Sequence, residues 1–108
     1  MTPEAQRVVI TKACPTVAEI DNSNGGCFWK SPHPFVQFDP FNDLNAIHTA
    51  IQTLSDVQKY HYLRWLDEVT EPTGEPKFQT WPVLRISNAT PAQCCEAFLR
   101  TLNLWIDQ

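Results

Sequence analysis

Cys94 is the residue whose type and setting first suggest chemistry. It lies just inside a helix that the sequence opens at Thr90-Pro91. A thiol near a helix N-terminus can be acidified into a nucleophile, but it then needs a base beside it. The histidines stand far apart, at His33, His48 and His61, and no spacing sets one of them against Cys94. His48 falls on the apolar stripe of a helix, five residues from Asp43, so the two share no near face. That position reads as a hydrogen-bonded core histidine rather than a general base. His61, between Tyr60 and Tyr62, reads as exposed, and the Asp67-Glu68 pair reads as a solvated helix face. Zinc prefers C-x₂₋₄-C or H-x₃₋₅-H pairs, and neither occurs. No G-x-S-x-G, H-E-x-x-H, phosphate loop or dinucleotide fingerprint is present. The expectation is a protein that is not an enzyme and calls for no metal or cofactor.

The remaining cysteines fit that reading. Cys14 and Cys95 read as small core residues. Cys94 and Cys95 are adjacent and poorly placed to bridge each other, and reduced thiols are the intracellular default.

Aromatic side chains are the more informative set. Trp29, Phe35, Phe38, Phe41, Trp81 and Trp105 exceed what one small core buries. Trp105 is core by helical spacing, whereas Trp29, Phe38 and Phe41 follow no core period. Trp81 alternates away from Leu84 and Ile86. Rings outside a core stack on planar ligands or anchor a partner. The helix start at Thr90 offers N–H groups and a positive dipole end suited to phosphate, and Arg85 lies five residues before it. Asn42 and Asp43 follow Phe41 at the start of another helix. The expected ligand-binding set is therefore Trp29, Phe38, Phe41, Asn42, Asp43, Trp81, Arg85 and Thr90. Against it stands the plainer role of each polar member, since caps make helices and Arg85 suits an edge strand.

The elements that must position these residues follow from local signals. Thr2 caps a first helix, Pro3 fits its first position, and Pro15 ends it. Ala5, Val8, Val9 and Ala13 mark its apolar face. Thr16–Ile20 and Cys27–Lys30 form a hairpin around the turn-rich stretch 22–26. Pro32, Pro34 and Pro40 exclude helix and central strand, leaving an edge strand through Phe35–Phe38 open. A second helix starts near Asn42 or Asp43, with Leu44, Ile47, His48, Ile51 and Leu54 on one stripe. Ser55 and Gln58 form a capping box for a third helix, which runs to about Val69. Tyr60, Leu63, Leu66 and Val69 form its expected buried face, with Tyr62 and Trp65 at the margins. Lys77–Ile86 alternates as a strand, and Pro82 places it at an edge or bulge. Thr90 and Gln93 box a fourth helix, whose apolar face carries Cys95, Phe98, Leu99, Leu102, Trp105 and Ile106. The sum is α+β: a small antiparallel sheet packed between helices in a single domain, 1–108.

Composition bounds the partners. A chain of 108 residues is one domain's length. With 43% apolar and 19% charged residues, bulk disorder is excluded. Eight basic against 12 acidic residues give a net charge of −4, which disfavours general nucleic-acid binding because phosphate neutralisation needs a basic face. No apolar run approaches the ~20 residues of a membrane span, and the opening MTPEAQRVV lacks the regions of a signal peptide. A soluble intracellular domain is the expectation.

The order of elements resembles the phage ABA-sandwich family of small phage and prophage proteins. The likeness is carried by Glu4–Cys14 (EAQRVVITKAC), by Asn42-Asp43-Leu44-Asn45-Ala46-Ile47-His48 through Leu54, and by Trp81 followed by Ala89–Leu99 (ATPAQCCEAFL). The chain departs from the family where Pro15-Thr16 stands in place of a Gly-Trp pair, and in the stretch 31–41. The resemblance implies α/β/α layering and a phage origin, without an activity. A small phage protein with no catalytic set is expected to work by binding in the host cytoplasm, as a homo-oligomer. The leading expectation is counter-defence by sequestering a nucleotide immune signal, a cyclic nucleotide or ADP-ribose type. Its rivals are an inhibitor of a host defence nuclease of anti-CRISPR or anti-restriction type, whose basic surface would suit an acidic chain, and a virion accessory protein.

Overall fold

In a computed structural model of the chain the described residues are 1–20, 26–30, 36–70 and 88–106. Among them are four helices and a two-stranded antiparallel sheet, a small α+β globule. The helices are α1 (Pro3–Ala13), α2 (Leu44–Ile51), α3 (Asp56–Thr70) and α4 (Pro91–Thr101). The strands are β1 (Ala18–Ile20) and β2 (Cys27–Trp29). The expected strand at 77–86, with Trp81 and Arg85, and the turn residues 22–25 lie outside the described residues. No described helix is long and apolar enough to cross a membrane.

Local signals act where the sequence puts them. The Thr2 hydroxyl accepts from the Ala5 N–H at 3.1 Å, with Pro3 in the first helical position. Asp43 caps α2 by accepting from the Asn45 N–H at 3.0 Å. Both capping boxes close reciprocally. The Ser55 amide donates to Gln58 Oε1 at 2.9 Å and the Gln58 amide to Ser55 Oγ at 3.2 Å. Thr90 and Gln93 repeat the pattern at the same two distances. At the other end of α4, Asn103 takes the left-handed conformation, φ 59°. The Asn103 amide then reaches Arg100 O and the Leu104 amide reaches Leu99 O, which is the Schellman closure. That closure ends the helix at Thr101, so Ile106 is 58% exposed instead of joining the buried face. Trp105 is half-buried because the chain folds back, not through helical phase. It stacks on Arg100, whose guanidinium carbon lies 5.2 Å from its ring and 5.4 Å from that of Trp65. Glu96 holds the same guanidinium at 2.9 Å.

The hairpin pairs Ala18 with Trp29, Glu19 with Phe28 and Ile20 with Cys27. Partners opposite one another share a face, so Ala18, Ile20, Cys27 and Trp29 look inward and the sheet packs on α1. Residues 36–38 run antiparallel along the other edge of β2. Phe28 bridges Gln37, and the Phe38 amide donates to Cys27 O at 2.8 Å.

Helix phases differ from those the sequence suggests. α1 buries Gln6, Ile10 and Thr11, while Val8, Val9 and Ala13 lie only partly covered. Two of its buried residues are polar with local partners: Thr11 Oγ1 donates to Arg7 O at 2.7 Å and Gln6 Nε2 to Met1 O at 3.2 Å. α2 buries Ala46, Ile47 and Ala50, leaving Leu44 and His48 exposed. α3 buries Tyr62 and Leu66, whereas Tyr60 and Leu63 are exposed. α4 lies deepest, with Cys94, Cys95, Ala97, Phe98 and Leu99 all buried, and it packs on α1, α2 and α3.

Candidate functional site

The residues singled out in the sequence separate into structural groups. Phe38 is fully buried and meets Trp29 edge to face, ring centroids 5.0 Å apart at 86°. It is a core residue, not a ring free of the core. It is buried because its amide joins the sheet edge, a placement helical or strand periodicity cannot reveal. Trp29 and Phe41 are half-buried against the same core. Asn42 and Asp43 are exposed on the turn that leads into α2. Asn42 Nδ2 donates to Asp39 Oδ2 at 2.9 Å, and Arg7 Nε meets Asp39 Oδ1 at 3.3 Å. Partial burial pushes the Asp39 carboxyl up, but Asn42 and Arg7 together outweigh it and hold it below the usual carboxylate range. Thr90 is exposed at the start of α4. Pro91 has no N–H, and the Thr90 and Gln93 amides are taken by the capping box. The Cys94 amide bonds Thr90 O. Little of the donor set that a phosphate requires is left there. The structure thus joins Trp29 with Phe38, while Asn42 bonds Asp39 and Asp43 caps α2. Trp81 and Arg85 lie outside the described residues.

The thiols are buried. All four cysteines are free and buried. The Cys95 thiol donates to Pro40 O at 3.1 Å, tying α4 to the turn before α2. Burial pushes Cys95 far up, and the charges at Cys94 and Asp39 add to it. Burial also raises Cys14, against a contact with the Thr53 hydroxyl at 3.7 Å. Cys94 is raised by burial despite the Tyr62 hydroxyl that bonds its sulfur. A nucleophilic thiol at the head of α4 is therefore not what the fold builds. Native protein at pH 8 should react with a chromogenic disulfide reagent at none of its four cysteines, and at all of them in denaturant. Rapid reaction of even one thiol in the native state would reverse this conclusion. Among the described residues no three of His, Cys, Asp and Glu come together as metal ligands would.

Among the described residues one open apolar feature is a groove of about 300 Å³ between α2 and α3. Leu44, His48 and Ile51 form one wall and Tyr62, Leu63 and Leu66 the other. Ala89 and Cys94 line it at the head of α4. Leu44 is 41% and Leu63 49% exposed, so large apolar side chains stand open on both rims. His48, expected in the core, is on this surface because α2 turns its alanines inward. In sequence, Leu44, His48, Ile51, Leu63 and Leu66 fall on stripes that point to a core and Tyr62 falls at a margin, which hides the groove. The signal available was the breadth of the two apolar stripes, wider than one buried face needs. Set against known families, curated proteins and solved structures, the chain matches no family model, no curated protein and no solved structure.

Proposed function

We propose that this chain acts by binding, as a counter-defence protein of the phage type its sequence resembles, and that its partner is a protein. The carrying observation is the groove between α2 and α3, apolar on both walls and open at Leu44 and Leu63. A well-packed, desolvated pocket of this kind is where a partner's anchoring side chain gains most of its binding energy. The net charge of −4 favours a basic partner surface, such as that of a nuclease. The nucleotide-sequestering reading has less support: its cationic residue, Arg85, and its stacking residue, Trp81, lie outside the described residues, and the Thr90 helix start spends its donors on its own cap.

The test is capture of a partner from bacterial lysate by wild-type protein and by Leu44→Glu and His48→Glu, both at exposed positions. Capture should weaken as salt rises and fall about tenfold in each variant, because a carboxylate in the apolar groove must be desolvated on binding, with the melting temperature unchanged. Equal capture by all three proteins would remove the groove from the function. A nucleotide present at ~100 times its Kd adds about 2.7 kcal/mol of stability. It would raise the melting point on the order of 10 °C in a domain this size. Such a shift with a cyclic nucleotide or ADP-ribose compound would restore the sequestering reading.

A further inference from the structure

The outer face of α3 carries three large apolar side chains among its charged ones, where a helix of this amphipathic kind should be polar. Val57 is 67%, Tyr60 58% and Leu63 49% exposed. At 3.6 residues per turn these three lie on one stripe, three positions apart. The charges flanking them are ordered too. Asp56 stands four residues before Tyr60 and Arg64 four residues after it. Arg64 already leans back over the stripe, with its guanidinium 3.5 Å from the Tyr60 hydroxyl.

Read in reverse from Tyr60, the stripe repeats its apolar pattern with its charges exchanged. We propose that the protein forms a two-fold dimer in which α3 packs antiparallel on α3 of a second copy, with Tyr60 at the axis. In that register Val57 meets the partner's Leu63 and Asp56 meets the partner's Arg64, each contact made twice. This is the self-complementarity an isologous interface requires. A parallel pairing would set acid on acid and base on base, so the charges select the antiparallel one. One helix face falls at the small end of stable interfaces, below roughly 1,200 Å² in total, so the dimer is a reversible one. The dimer shares Leu63 with the rim of the groove and otherwise uses Val57, Tyr60 and the charges beside them, so a groove occupant and the dimer meet at that one side chain.

Sedimentation equilibrium and cysteine cross-linking test it. The native thiols are all buried, so wild-type protein should not cross-link. Tyr60→Cys should cross-link to twice the chain mass under mild oxidant, because residues at the axis approach their own symmetry mates. Glu68→Cys should not, since antiparallel pairing separates the two copies of that position by roughly 24 Å along the axis. Arg64→Asp should weaken the dimer about tenfold by opposing the partner's Asp56. Asp56→Arg combined with Arg64→Asp should restore it to within about threefold, since the pair is merely exchanged. A protein that is monomeric up to near-millimolar concentration overturns the proposal. So does equal cross-linking at positions 60 and 68, or a folded double variant that fails to recover. A different protein occupying this face without any dimer overturns it as well.

Discussion

Ile47→Asp should melt far below the parent, while Leu44→Asp, one turn earlier on the same helix, should unfold like the parent. Ile47 has no exposed surface and sits within the main hydrophobic cluster. A carboxylate there has no partner and would take up a proton. Even the neutral acid is a buried polar group in place of a well-packed side chain. The combined cost is about 4 kcal/mol or more, against a total stability of about 5–15 kcal/mol for a domain. Leu44 is 41% exposed and occupies the first turn of α2. An acidic residue near a helix N-terminus is favoured by about 0.3–1 kcal/mol, which offsets the small area lost from the groove rim. Circular dichroism on heating and in urea separates the two. Similar melts for both variants would mean that α2 is turned differently about its axis.

Phe38→Ala should cost about 3–5 kcal/mol, the range for removing a fully buried phenylalanine. Its ring has no exposed surface and closes edge to face on Trp29. An aromatic pair contributes about 0.5–1.5 kcal/mol of that total. The melting point should fall on the order of 15 °C. Tryptophan emission should shift to the red as Trp29 loses its cover, and Phe38→Leu should recover more than half of the loss. A ligand wall behaves differently: its removal would spare the fold and change binding alone. A melting point unchanged by Phe38→Ala would return this residue to the binding set.

These two residues also show why some of the architecture can be read from the chain and some cannot. Capping is a transaction among neighbours. Ser55 with Gln58 and Thr90 with Gln93 are within four positions of each other, and both boxes form. The hairpin and the α+β class follow from equally local patterns. Helix phase is different, because it depends on which other element arrives. Ile47 and Leu44 are equally apolar, and only the position of α4 and the small size of Ala46 and Ala50 decide which is buried. Thr11 and Gln6 are polar, yet each donates a local hydrogen bond from inside, while Gln6 Oε1 has no partner among the described residues. Phe38 joined the core through a backbone bond to Cys27 that no side-chain period encodes. The groove between α2 and α3 was invisible for the same reason. It is made of residues that two neighbouring helices fail to bury.

The depth of α4 has a consequence for the order in which the molecule can be made. Its residues touch α1, α2 and α3, and its Cys95 bonds Pro40 across 55 positions of chain. Until residues 91–101 leave the ribosome, Ile10, Ile47 and Leu66 have no common surface to bury against. Loop-closure entropy is met late, by contacts of high sequence separation, which slows folding relative to a simple helical hairpin. A nascent chain that stops short of α4 therefore presents open apolar helix faces to its surroundings. Chaperone contact during synthesis is set by that one helix, and its release by the moment α4 docks.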